Sequence, residues 1–487
     1  MLYNVDEAQN LIIFIGDGMG PETITATRIY SKSEDKYLFF ERFPFVGKLK
    51  VMGEICGGRT AADTMLYNVD EAQNLIIFIG DGMGPETITA TRIYSKSEDK
   101  YLFFERFVTN ARVTSETVAS IYAHVANTKW ECDAFMPNKS TMCKDIARQL
   151  IEDVPGKNIK VIMGGGMQCL KSDASGSFDD PIDKNACYSV DGRDLIRDWT
   201  LDKEKRHVNY AVVTNTWELQ KLSHVDYLLG IFSNSNFNYE YQRDTSPYGM
   251  PSLSAMAEKA LEILDSNPNG FFLVVEGGLI NQAHHEGHAK IALEETVALN
   301  AAIEKIVTIL EEAEKLKDTL IIVTADHATS MVINGYPHRH SSILGLSQPV
   351  GYDNANYTTL TYATGGPHNY QFYADNSMGN LSVLLNPMFN RTYLVAENKT
   401  IHCPAQKILR MDPSKQDTED YTYYQQAGIL TDQVTHAGTD VNVYAIGPMA
   451  HLLHGTHEQT YLYYFIGFAT NVGPIKKVTD YLDSVFL

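Results

Sequence analysis

Acids and imidazoles recur in this chain at one kind of place, directly after a short apolar run. LIIFIG ends at Asp17 and, in a second occurrence, at Asp81; FFLVVE ends at Glu276; TLIIVTA ends at Asp326-His327. Asn281-Gln-Ala-His284-His285 follows Glu276, and THAG supplies His436 just ahead of another apolar run. Taken singly, each has an ordinary structural role: a strand-end Asp caps a helix, and a lone His is a surface or hydrogen-bonded core residue. Taken together they are carboxylate oxygens and imidazole nitrogens, the donors that zinc and magnesium take. The chemistry open to such a set is binding of dications, which in turn bind and polarise phosphoryl groups. A rival reading of GDGMGP as a dinucleotide loop is weak. Its glycines miss G-x-G-x-x-G, a proline follows at once, and an acid in the turn would face the pyrophosphate it was meant to cradle.

The elements that must position these residues are legible as alternating strand and helix patterns. VIMGGG (161–166), FFLVVEGG (271–278), TLIIVTADH (319–327) and VNVYAIGP (441–448) are near-continuous apolar runs of the kind buried on both faces of a parallel sheet. Between them, Leu253, Met256, Ala257, Ala260, Leu261 and Leu264 share one helical face, and Leu299, Ile303, Ile306 and Leu310 another. The pattern predicts an α/β fold with a mainly parallel central sheet sandwiched by helices, and a ligand crevice beyond the carboxyl ends of the strands. Residues 340–400, rich in Tyr, Asn, Ser and Gly, read as a surface insertion.

A long repeat breaks this pattern. Met1–Phe43 recurs letter for letter as Met65–Phe107. Such identity points to a very recent duplication or, the favoured expectation, to an artefact of sequence assembly or gene prediction. Residues 1–64 are expected to be displaced, leaving 65–487 as the working domain. The second copy, with Asp81, is preferred for the central strand because it lies closer to Thr117 and gives a short β-α-β crossover.

A formal charge of −20 and a pI near 5.2 provide no basic stripe and argue against nucleic acid as a partner. The same acidity suits a phosphate-binding site only where bound cations reverse the local potential. The first residues lack the basic and apolar regions of a secretory signal, and the apolar run 462–469 is too short to cross a bilayer, so no membrane anchor is expected from this sequence. Six cysteines without a CxxC pair leave room for one or two disulfides rather than a thiolate zinc ribbon. Sequons at Asn138, Asn356, Asn380, Asn390 and Asn398 suggest glycosylation and a secretory history.

GDGMG, VTNARVTSETVASIYAHVAN, MGGGM, DGRDLI, FFLVVEGGLINQAHHEGHA, DTLIIVTADHATS and THAGTDVNVYAIGPMAHLLHGTHEQ, in that order, resemble an animal alkaline phosphatase. The resemblance implies an α/β sandwich, a homodimer, two zinc ions and one magnesium, and hydrolysis of phosphate monoesters through a phosphoserine. It also implies an extracellular or cell-surface glycoprotein, often lipid-anchored. Carried over residue by residue, Asp81 or its twin Asp17 matches the carboxylate shared by magnesium and the second zinc. Thr117 and Glu276 match the other magnesium ligands, Asp326 and His327 the second zinc site, and His285 and His436 two of the three ligands of the first.

Departures from the family pattern cluster on the reacting end. No Asp-Ser-Ala follows FPFVG; Thr60, Ala61 and Ala62 lie where the nucleophile belongs, and the repeat then takes the place of the nucleophile block. Asn281 replaces an aspartate ligand, Thr128 an arginine that grips phosphate, Ser115 a histidine or acid beside magnesium, and Thr329 a histidine. Cys143 is expected to lack its family disulfide partner, which lies in the omitted region. The expected activity is therefore an impaired phosphatase with no catalytic nucleophile. The alternative is a non-catalytic secreted glycoprotein that uses the fold as a binding surface.

Overall fold

Ten strands line up as one sheet in the computed structural model, which describes residues 8, 10–32, 37–50, 106–136, 143–264, 270–375, 381–384, 394–396, 399–401 and 407–470. In chain order they are β1 (Asn10–Ile15), β2 (Phe45–Lys50), β3 (Arg106–Arg112), β4 (Val161–Gly165), β5 (Tyr210–Val213), β6 (Tyr227–Ile231), β7 (Phe272–Glu276), β8 (Thr319–Thr324), then Val441–Ile446 and Gly455–Glu458. In space they run Gly455–Glu458, β2, Val441–Ile446, β8, β1, β7, β3, β4, β6, β5. Only Val441–Ile446 runs antiparallel to its neighbours. The sequence therefore specifies the parallel α/β architecture it predicts: β4, β7 and β8 are buried along their whole length, as apolar runs covered on both faces must be.

Helices close the faces. Ala289–Glu312 packs against Leu253–Leu264 and against Pro21–Lys32. The apolar stripes read from the sequence are the buried ones: Met256, Ala257 and Ala260 on one helix and Leu299, Ile303, Ile306 and Leu310 on the other have almost no exposed surface. Among the described residues no helix is long and apolar enough to cross a membrane.

Register decides which residues meet. β1 lies between β7 and β8, with Ile15 opposite Glu276 on one side and Thr324 on the other. Asp17, two residues past Ile15, and Asp326, two past Thr324, thus leave the sheet at the same end as Glu276. The strand at the centre is the first copy of the duplicated segment, against the preference for Asp81, which lies outside the described residues. Both copies carry the same letters, so the difference comes from the partners that their ends and downstream residues find. For the first, Phe40 packs edge-on against Tyr444 at 5.2 Å, Phe39 N–H donates to Asn300 Oδ1 at 2.7 Å, and β2 pairs with Val441–Ile446. Arg106 and Phe107, which end the second copy, are the first residues of β3 beside β7. A copy whose end is drawn into β3 cannot also set that end against Tyr444. For residues 10–32 and 37–50, then, the expectation of a displaced segment is overturned.

The stretch read as an insertion also differs. Leu360–Gly365 is the middle strand of a second sheet between Met331–Ile333 and Ala427–Leu430. Leu360 and Tyr362 belong to a small core with Ala26, Leu293 and Leu344. Tyr and Thr alternating with Leu are strand-forming on a half-buried face, a pattern masked by the Asn and Ser around it. Cys132 and Cys187 form a disulfide, and Cys143 is free and exposed.

Candidate metal centre

Four chain segments deliver the polar cluster beyond the strand ends. After β1 the chain turns at Gly18, whose φ of +71° and tight surroundings exclude a side chain: a Cβ there would stand 3.0 Å from both Asn281 Oδ1 and Thr329 Cγ2. That turn aims Asp17 across the sheet end and lets Pro21 open the next helix at a position where its missing N–H costs nothing. Gly18 N–H donates to Asp326 Oδ1 at 3.2 Å, and His327 N–H donates to the same oxygen at 2.9 Å. One oxygen of Asp326 is thereby fixed and the other is left without a donor.

Donor atoms of Asp17, Asp326 and His327 lie within 4.8 Å of one another, and all three residues are buried. His327 Nε2 stands 3.3 Å from Asp17 Oδ1 and 3.6 Å from Asp326 Oδ2, while its Nδ1 faces the Ala328 carbonyl at 3.1 Å. A carbonyl in that position orients the ring so that Nε2 presents its lone pair to the cluster. Buried oxygens with no hydrogen-bond donor converge here: Asp17 Oδ1, Glu276 Oε2, Asp326 Oδ2 and Asn281 Oδ1. Orphaned buried acceptors are costly unless something cationic satisfies them, so the donor set fits a dication.

A second half of the cluster is built from imidazoles. His285 lies in the last turn of the Leu279–Glu286 helix, whose stop at Gly287 uses the left-handed φ of +82°. His285 Nδ1 donates to the Val434 carbonyl at 2.7 Å, and its Nε2 lies 3.0 Å from His436 Nε2. The His436 ring stacks on His327 with centroids 3.6 Å apart, which joins the halves. His436 is placed by an antiparallel pair with Thr329. Neighbouring His284 is not part of this group. Its two nitrogens face Thr23 Oγ1 at 3.1 Å and Tyr362 Oη at 2.7 Å, so it is a core residue and its Tyr362 partner comes from the second sheet.

The magnesium-type ligands of the sequence reading meet as well. Thr117 is buried and its hydroxyl bonds Glu276, as does that of Thr109, in the middle of β3 and opposite Glu276 in register. Ser115, by contrast, turns its hydroxyl to the Arg112 carbonyl at 2.7 Å. Glu116 and Thr128, both exposed, hydrogen-bond through their side chains. Thr109 and Glu116 were missed by sequence reasoning: Thr109 lies inside β3 and carries no strand-end signal, whereas Glu116 adjoins Thr117 and could have been found from it.

Electrostatics follow from burial. Desolvation, reinforced by Asp326, holds the Asp17 carboxyl well above its ordinary range. Burial pushes Glu276 up to about 7 against the Thr109 and Thr117 hydrogen bonds. Burial lowers His285, and burial with His327 and His285 nearby lowers His436 to about 3. Without a cation the buried carboxyls therefore favour their protonated forms and the imidazoles stay neutral; deprotonated carboxylates and neutral imidazoles are the forms that ligate metal.

Of the residues singled out from sequence, Asp17, Thr117, Glu276, His285, Asp326, His327 and His436 come together. Among the sequons, only Asn356 is described; Asn138, Asn380, Asn390 and Asn398 lie outside the described residues. Asn356 Nδ2, the atom a glycan would take, donates to Asp412 at 3.1 and 3.3 Å.

Comparison with known proteins agrees with the motifs. The alkaline phosphatase family model matches residues 8–54 and 105–472, passing over most of the repeat. The chain is 34% identical to the tissue-nonspecific alkaline phosphatase of Rattus norvegicus, covering 96% of this chain and 85% of that one. It is 32% identical to the alkaline phosphatase of Gadus morhua, covering 96% and 93%. Among solved structures, a mutant TAB5 alkaline phosphatase with Mg bound in its M3 site has the same fold, with a TM-score of 0.56 at 15% identity over 96% of this chain and 99% of that one. With the strand-end acids, the histidine pair and these matches in agreement, the chain belongs to the alkaline phosphatase family.

Proposed function

We propose that the strand-end cluster is a dication centre of alkaline phosphatase type, and that hydrolysis of phosphate monoesters at it is slow. The reading is carried by the convergence of Asp17, Asp326 and His327 donor atoms within 4.8 Å around orphaned oxygens. Asp17, Asp326 and His327 would hold one zinc, and His285 and His436 with the Asn281 carbonyl oxygen a second. Asp17, Thr117 and Glu276 would hold magnesium. Bound ions of this kind neutralise charge on a transferring phosphoryl group and on its entering and leaving oxygens. This chain's own residues orient those ions: Val434 and Ala328 carbonyls set the imidazoles, and backbone amides fix Asp326.

Two losses argue for slow turnover. No serine stands in the family's nucleophile segment, which removes covalent catalysis. Thr128 replaces a guanidinium that would grip two phosphate oxygens, and losing such a group costs about 10³-fold in comparable phosphoryl transfer. The Cys132–Cys187 disulfide supports an oxidising, extracellular setting. The homodimer rests on family likeness alone.

The test is zinc analysis of purified protein followed by aryl phosphate hydrolysis beside a serine-bearing relative. Zinc-replete protein with activity at least about 10³-fold lower is expected. Equal turnover would remove the impairment, and protein that holds no zinc would remove the metal centre. The second reading, a binding surface without catalysis, is favoured by Asn281 and Thr128, and its signature is full metal content with no turnover.

A further inference from the structure

We infer that Glu116 sets the ligand preference of this centre: its carboxylate, held by Thr128, stands on the approach to the cations and disfavours phosphate. The inference rests on the metal centre proposed above. Glu116 is the first residue of the Glu116–Ala119 helix, and Thr117, the next, is buried with its hydroxyl on Glu276. Successive helical residues point about 100° apart, so Glu116 faces solvent beside the buried Thr117, close enough to the cluster to interact with Asp326 and Glu276. Glu116 is open to solvent, yet its charge acts on both Asp326 and Glu276.

Arg112 acts on that charge but is committed elsewhere. Its Nε and Nη2 each donate to Glu131 at 2.8 Å and its Nη1 to Asn236 at 3.1 Å. Thr128, a neutral hydroxyl, is what holds the acid in place. The unpartnered oxygens of Asp17, Glu276 and Asp326 would hold the ions, which would supply the positive charge that attracts an anion. Glu116 subtracts one unit of it on the side an anion must enter. A phosphate dianion is repelled twice as strongly as a monoanion, because the interaction scales with the product of charges. Neutral and cationic ligands are unaffected or favoured.

Inorganic phosphate is the probe. Zinc- and magnesium-loaded wild type, Glu116→Gln and Glu116→Ala are titrated with it by calorimetry, and metal content is measured on the same samples. Both variants are expected to bind phosphate at least about tenfold more tightly with metal content unchanged, and the gain should shrink in high salt. Equal or weaker phosphate affinity in metal-replete variants overturns the inference and leaves the metal centre standing. Wild-type protein that holds no metal after dialysis overturns the centre and the inference together.

Discussion

The two halves of the centre are built by different means. On one side Asp17, Asp326 and Glu276 bring carboxyl groups, and two backbone amides hold Asp326. On the other, burial keeps His285 and His436 neutral, and the unpartnered oxygen of Asn281 belongs to an uncharged amide. The acidic half carries a large desolvation cost that only a cation offsets, whereas the imidazole half is comfortable without one. Metal dependence should therefore differ between halves: strong and pH-sensitive at the carboxylates, weak and pH-insensitive at the imidazoles.

The largest expected effect comes from Asp326→Ala, which removes a proposed ligand and the acceptor of two amides. Zinc affinity at the acidic half should fall by more than about 100-fold in chelator competition; near-wild-type affinity would erase the distinction between halves. Asn281→Asp should reverse the weakness of the other half. Adding one charge is expected to tighten a second zinc equivalent by roughly tenfold, about 1.4 kcal/mol, in calorimetric titration, and an unchanged second step would show that the amide oxygen suffices.

Acidity offers a third test. Metal binds the deprotonated carboxylates, and Glu276 titrates at about 7 with Asp17 also raised. Magnesium uptake at Asp17, Thr117 and Glu276 should release protons and weaken as pH falls below about 7, and zinc uptake at Asp17 should weaken in the same direction. His436, lowered to about 3, stays neutral through that range, so the imidazole half should not respond. Parallel pH profiles for two zinc equivalents would contradict this. The smallest effect is expected from Tyr362→Phe, which strips His284 of a buried partner outside the ligand set. Stability should drop by about 1–2 kcal/mol in thermal unfolding, with zinc content unchanged; loss of zinc would place His284 in the centre after all.

Strand-end chemistry was the readable part. Glu276, Asp326 and His327 each follow an apolar run, and parallel strands release such residues at one edge. Tyr362 was hidden because its strand, Leu360–Gly365, lies among Asn and Ser. Ser115 and Thr117, two hydroxyls two residues apart, are alike in sequence, yet one turns to a carbonyl and the other to Glu276.

The duplicated segment marks the boundary between the two kinds of information. Hydrophobic order and residue type, local properties written in the chain, determined the α/β architecture and the family. Arg42–Phe43 and Arg106–Phe107 are the same two letters, yet the first pair closes a 3-10 turn and the second opens a buried strand. Only partners distant in sequence distinguish them: Tyr444 against the end of the first copy, β7 beside the end of the second. The choice of Asp17, the split of the histidines into His284 and His285, and the anchoring of Glu116 by Thr128 were likewise decided by contacts that exist only once the chain is folded.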